Sequence, residues 1–251
     1  MAKQNIYDNE AFFENFQEIR KNEINYNDLI ETPIFMSLLP DLSGKHVLDI
    51  GCGMGQHAKQ YADMGAKTVL GIDLSEKMLD VAKREYSADN ITYQKMAMED
   101  IGQIDRKFDV VTSSLAFDYA EHLDELANAV YRMMESDGIF VFSMSHPIAT
   151  AFDGEYPRWT RAENGERLYL NLRNYCVEGL RKITWVVDDY ELYHRMFSSI
   201  INAIAHAGFL IEDCRESQTT KELREKEPEK FEGTVHYPDF LFLKCRKIRP
   251  S

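Results

Sequence analysis

Gly51, Gly53 and Gly55 stand at alternate positions in HVLDIGCGMGQH, His46 to His57, just behind Asp49. A glycine turn between a strand and a helix presents backbone N–H groups and the positive end of a helix dipole to a ligand. A dinucleotide turn, G-x-G-x-x-G, needs its third glycine where this chain has Gln56. Asp49 would repel a pyrophosphate and attract a cation. These residues therefore describe a ligand with an amino group and no phosphate. Asp73 follows Gly51 by 22 residues, at the end of the next apolar run. An acid at about that spacing accepts hydrogen bonds from ribose hydroxyls.

Proton transfer points to the histidines, which titrate near neutrality. His146 closes an apolar run in SMSHP, and His194 lies in YELYHRM beside Arg195. Either is a candidate general base. His46 reads as structural, and His57, on the first turn of a helix, faces either the ligand at the glycine turn or the surface. Tyr119, Trp159, Trp185 and Tyr193, with Arg195, are candidate walls of an acceptor pocket; the alternative for the aromatic residues is simple packing.

These side chains need a scaffold that brings strand ends together. KHVLDIG, KTVLGID, NITYQKM, KFDVVTSSL and DGIFVFSMSHP read as strands. Amphipathic segments separate them, including GQHAKQYADMGA, SEKMLDVAKREY with Ser75 as N-cap, and HLDELANAVYRMME. Such alternation predicts a parallel sheet with right-handed crossovers. Phe12, Phe13, Phe16 and Ile19 have helical spacing, and a second helix covers about 27–39, kinked near Pro33. After Pro147 the rhythm breaks. KITWVV and YELYHRM alternate around Asp188-Asp189 and predict an antiparallel hairpin. FSSIINAIAHAGF is then a helix closed by Gly208, LIEDCRES and HYPDFLFLKCRK are strands, and 219–232 is a solvated helix or loop.

The chain has 251 residues and a net charge of −13, which disfavours a nucleic-acid partner because phosphate backbones are repelled. No apolar run is long enough to span a membrane, and the N-terminus lacks the pattern of a secretory signal. Cys52, Cys176, Cys214 and Cys245 form no C-x-x-C pair, as expected of reduced thiols in a cytoplasmic protein without a metal site.

VLDIGCGMGQHAKQYADMGAKTVLGIDLSEKML resembles the first two motifs of the class I S-adenosylmethionine-dependent methyltransferases, most closely the bacterial small-molecule type, over roughly residues 45–145. The resemblance implies a Rossmann-like, doubly wound α/β fold whose mostly parallel seven-stranded sheet ends in an antiparallel strand. It divides the chain into an N-terminal helical cap (1–44), a cofactor-binding core (45–147), an acceptor-side lid inserted after the fifth strand (148–195) and the rest of the sheet (196–251). It implies S-adenosyl-L-methionine as cofactor. Gly51, Gly53 and Gly55 would form the turn around the methionine moiety, with its ammonium near Asp49. Asp73 would hold the ribose, Leu74 would lie beside it, and Met78 would cover the adenine. Where the family often has Asp-Ala, this chain has Ala97-Met98, which leaves adenine recognition to Met98 and Glu99. Ser114 would lie beneath the methyl donor, and Arg20, Tyr26 and Asn27 are further contacts from the cap.

The expected activity is in-line methyl transfer to an O, N or C atom of a small molecule. Two subclasses lose ground. Ser113-Ser114-Leu115-Ala116-Phe117 replaces the Asn/Asp-Pro-Pro-Tyr/Phe motif of nucleic-acid amino methyltransferases, and no acidic set matches the magnesium-dependent catechol enzymes. An RNA or protein methyltransferase, a non-catalytic S-adenosylmethionine-binding protein and a nicotinamide oxidoreductase are the alternatives. A homodimer is compatible with the chain but not specified by it.

Overall fold

The computed structural model describes residues 5–21, 25, 27–152, 154–183, 190–219, 221–226, 228 and 236–248. A short turn, Ile6–Asp8, leads into α1 (Glu10–Lys21). Next comes a π-helical turn, Asn27–Glu31, and α2 (Thr32–Leu38). Pro33 lies in the first turn of α2, where its missing N–H costs nothing. The expected kink is thus a change of helix type just before the proline.

The alternating part runs β1 (His46–Ile50), α3 (Gln56–Asp63), β2 (Thr68–Asp73), α4 (Glu76–Glu85), β3 (Ile91–Lys95), β4 (Phe108–Ser114), α5 (Leu123–Met133) and β5 (Met134–Ser145). Ser75 caps α4, its Oγ accepting from the Met78 N–H at 3.2 Å. A single turn, α6 (Pro147–Thr150), follows β5. Two antiparallel hairpins come next, β6 (Trp159–Arg161) with β7 (Arg167–Leu170) and β8 (Gly179–Ile183) with β9 (Tyr190–His194). The second contains the expected YELYHRM strand as β9, with Gly179 opposite His194 and Ile183 opposite Tyr190. However, β8 starts ahead of the expected KITWVV strand, of which residues 184–187, with Asp188-Asp189, lie outside the described residues. The chain then forms α7 (Phe197–His206), β10 (Phe209–Glu216), α8 (Lys221–Lys226) and β11 (Phe240–Lys247).

The seven strands of the main sheet lie in the order β10-β11-β5-β4-β1-β2-β3. All are parallel except β11, which runs against both β5 and β10. Both faces are covered, so the inner strands are largely apolar. Leu48, Ile50, Leu70, Ile72, Val111, Phe140 and Phe142 pack toward α5 and α7. Their alternating neighbours Val47, Val69, Val110 and Val141 pack with Phe35, Leu38, Ala58 and Tyr61 of α2 and α3. The reversal of strand order between β1 and β4 opens a crevice at their carboxyl ends, where open α/β sheets hold ligands.

Candidate cofactor and acceptor site

The three glycines of the turn do different work. Gly51 (φ +71°) lies so close to the start of the 116–120 segment that a Cβ added to it would be 2.4 Å from Ala116 Cβ. Gly55 is packed against Tyr93 and Ala82 of the protein itself. Gly53 (φ +54°) alone of the three faces open space. Gly51 and Gly55 therefore owe their missing side chains to packing, and Gly53 exposes backbone to the crevice.

Asp49 is 2% exposed. Its Oδ1 accepts from Thr112 Oγ1 at 2.9 Å, while its Oδ2 is buried with no hydrogen-bond partner. Burial pushes its carboxyl up to about 7, and the neighbouring Asp73 and Glu31 charges push the same way against the Thr112 hydrogen bond. A buried carboxylate oxygen left unpaired is costly, and a cation with N–H donors relieves it.

Asp73 stands at the end of β2. Its Oδ2 accepts from the Gly53 N–H at 2.9 Å and its Oδ1 from the Ser75 N–H at 2.8 Å. These bonds fix the carboxylate plane and leave one further lone pair on each oxygen, the geometry a vicinal diol needs. Burial raises its pKa despite the backbone bonds.

The N-terminal segment covers this corner. Asp8 Oδ1 accepts from Ser75 Oγ at 2.6 Å and from the Lys77 N–H at 3.2 Å, and Asn5 Nδ2 reaches the Leu74 carbonyl at 3.5 Å. Tyr7, Phe13 and Phe16 pack on Met54, Met78 and Val81. Tyr7 and Asp8 were not singled out in the sequence. Met98 lies half-buried in the short helix Met98–Gln103 after β3, with Glu99 exposed beside it. Arg20 is on α1, its side chain outside the described residues, and Tyr26 and Trp185 lie outside them altogether.

At the end of β4, Leu115 takes a left-handed conformation (φ +52°), a strain of roughly 1 kcal/mol for a residue with a Cβ. The Ser143 carbonyl and hydroxyl hold its N–H at 3.1 and 3.2 Å. The chain then turns through Phe117–Tyr119, where Asp118 is buried and accepts from the Ser145 N–H at 3.0 Å and Ser145 Oγ at 2.8 Å. Arg195 clamps the same turn from the far side, donating to the carbonyls of Ala120 and, at 3.2 Å, Glu121. Its guanidinium also lies over the Tyr193 ring at 5.6 Å. Tyr119 Oη bonds Tyr7 Oη at 2.7 Å and also Tyr190 Oη. Burial raises all three phenol pKa values, that of Tyr7 to about 12.

Both ring nitrogens of each candidate histidine are engaged. At His146, the Ile148 N–H donates to Nδ1 at 3.1 Å, so Nε2 carries the proton and donates to Glu216 Oε1 at 2.9 Å. At His194, Nε2 donates to the Tyr175 carbonyl at 2.9 Å, so Nδ1 accepts from Thr150 Oγ1 at 2.7 Å. Neither ring keeps a lone pair for an acceptor proton. His146 caps α6, and His194 ties β9 to it. Trp159 likewise sits apart from Tyr119. It packs on His236 and Tyr237 under the Arg167 guanidinium, beside a cleft of about 370 Å³ lined by Glu216, Ser217 and those two aromatic residues.

The model of a methyltransferase domain matches residues 48–142. A solved S-adenosylmethionine-dependent methyltransferase of Mesorhizobium loti is 33% identical, covers 86% of this chain and 97% of its own, and superposes with a TM-score of 0.78. The chain belongs to the S-adenosylmethionine-dependent methyltransferases. A Listeria monocytogenes structure, provisionally named for the same activity, is 36% identical over 87% of this methyltransferase and 97% of that chain, with a TM-score of 0.80. The ubiquinone biosynthesis O-methyltransferase of Neisseria meningitidis is 34% identical over 107 residues, 41% of this chain and 45% of its own.

The residues of this crevice fit the cofactor: an unpaired buried Asp49 oxygen for an ammonium, open space at Gly53, and an oriented Asp73 for a diol. S-Adenosylmethionine supplies an electrophilic methyl on a sulfonium sulfur. Among the described residues no group of three or more His, Cys, Asp or Glu side chains is arranged to hold a metal ion, and no helix is long and apolar enough to cross a membrane.

Proposed function

We propose that this methyltransferase is a cytoplasmic enzyme that methylates a small molecule, held between the 117–119 turn, the end of β5 and the β8–β9 hairpin. In this reading residues 148–195 are the acceptor lid. One observation carries it. Tyr190 and Leu192 of β9 pack on Phe12, with Tyr7, Phe16 and Tyr119 around them, so the cap and the insertion roof the carboxyl edge together. A roof made of the chain's own aromatic residues suits a compact acceptor better than a polymer, and a net charge of −13 disfavours a nucleic acid. The ubiquinone-pathway relative, named for an O-methylation, supports the same acceptor class.

Because a positive charge disperses as the methyl leaves sulfur, the enzyme has to align the acceptor and exclude water more than it has to move protons. The turn clamped by Asp118 and Arg195 would supply that alignment. The test is to incubate the enzyme with methyl-labelled cofactor and either the ultrafiltrate of a cell extract or its retained macromolecules. Label passing the filter as a methylated small molecule is expected. Label confined to retained RNA or protein overturns the acceptor class.

A further inference from the structure

Glu31 is completely buried, although it comes from the cap and not from the sheet. Its Oε1 accepts from Ser114 Oγ at 2.8 Å and from Ser143 Oγ at 2.5 Å. A hydroxyl has one proton to give. Ser114 gives its proton to Glu31, so it presents only lone pairs to anything else. Ser143 does the same, and one of its lone pairs already accepts from the Leu115 N–H. Ser114 follows Thr112 by two residues, so their side chains leave the same face of β4, and Thr112 is the residue bonded to Asp49. That face offers Ser114 Oγ as an acceptor and, one strand away, the unpaired Asp49 Oδ2. An alkylammonium is the complementary group, with N–H donors and no acceptor.

We infer that Glu31 is a positioning residue of the pocket for the cofactor's α-ammonium, holding Ser114 as an acceptor beside Asp49. The inference rests on the assignment of Asp49 to the amino-acid end of the cofactor. Glu31 also acts on Asp49 through space, adding to the burial that favours its protonated form, and a bound ammonium reverses that effect. In this chain the cap thus reaches through to the floor of the cofactor site as well as covering it.

Calorimetry with S-adenosylhomocysteine and with its analogue lacking the α-amino group tests this. The native protein is expected to prefer the amino form by about tenfold or more, as for hydrogen bonds to a charged group. Glu31→Gln places an amide donor against Ser114 and is expected to shrink that preference about tenfold, leaving affinity for the desamino analogue within about twofold. Ser114→Ala should shrink it similarly, and it carries the test if the Glu31 variant does not fold. An unchanged preference in the folded variants, or equal weakening of both ligands, overturns the role of Glu31. Asp49→Asn separates the premise: a preference intact there removes the Asp49 assignment itself.

Discussion

The hydroxyl of Tyr7 lies 2.7 Å from that of Tyr119, across 112 positions of sequence. Tyr7 belongs to the N-terminal cap and Tyr119 to the turn after β4. Tyr119 in turn bonds Tyr190 of the inserted hairpin. One part-buried phenol therefore fastens the N-terminal segment and the β8–β9 hairpin to the turn after β4. Tyr119→Phe removes both bonds, at a cost of about 1–3 kcal/mol. A lower melting temperature and faster release of S-adenosylhomocysteine in stopped flow are expected. Unchanged release would mean that the cap does not hold the cofactor.

The glycine turn makes two distinguishable predictions. Gly51→Ala drives a Cβ to 2.4 Å from Ala116 Cβ in a left-handed backbone, so it should destabilise the apoprotein by several kcal/mol in denaturant unfolding. Gly53→Ala meets no atom of the protein and should cost only about 1 kcal/mol of strain, while lowering cofactor affinity. If Gly53→Ala binds S-adenosylhomocysteine as tightly as the native protein, that backbone does not face the ligand.

Asp73→Ala should weaken S-adenosylhomocysteine by about 1–3 kcal/mol through the lost diol contacts. It should also destabilise the apoprotein, because the N–H groups of Gly53 and Ser75 lose their acceptor. Calorimetric titration and thermal melting read the two effects separately. An unchanged dissociation constant would refute the ribose assignment.

The raised pKa of Asp49 sets a pH dependence. Folding lifts this carboxyl to about 7, so its contribution to apoprotein stability is full below the unfolded carboxylate range and is lost as pH rises through 7. The cofactor's ammonium favours the carboxylate, so binding below pH 7 should release a proton, and affinity should rise with pH up to about that value. Calorimetry in buffers of different ionisation enthalpy measures the proton, and Asp49→Asn should abolish it.

His146→Ala tests the candidate general base. Burial lowers its pKa against the pull of Glu216, so it supports the fold above the ordinary histidine range, and that support is lost as pH falls through it. His146→Ala should lower the melting temperature by removing the α6 cap, yet leave methyl transfer within about tenfold. A loss of about 10²–10⁴ in turnover, the scale of general base catalysis, would restore a proton-transfer role.

The sheet was legible because strand and helix periods alternate cleanly from β1 to β5, and the motif acids fall at strand ends. The strand β9 was legible from its alternation, whereas β8 lies mostly ahead of the KITWVV stretch expected to pair with it. The β6–β7 hairpin was not, since its polar strand of three residues carries no periodic signal. His146 looked catalytic because it follows a strand at the ligand-binding edge. Its use as an N-cap, a task commonly given to Ser, Thr, Asp or Asn, depends on the helical turn that Pro147 begins. Tyr7, Asp8 and Glu31 left no local mark. Their partners lie 112, 67 and 112 residues away, and only the folded cap brings them together.

The way Phe12 is wedged has a kinetic consequence. Its ring stacks on Tyr190 of the hairpin and on Phe16 of its own helix, and meets Tyr7 edge-on. In the proposed arrangement the nucleoside site lies behind that aromatic stack, so swapping a spent nucleoside for a fresh one would require prising it apart. Turnover should accordingly be sequential, with the product departing first and the demethylated nucleoside last.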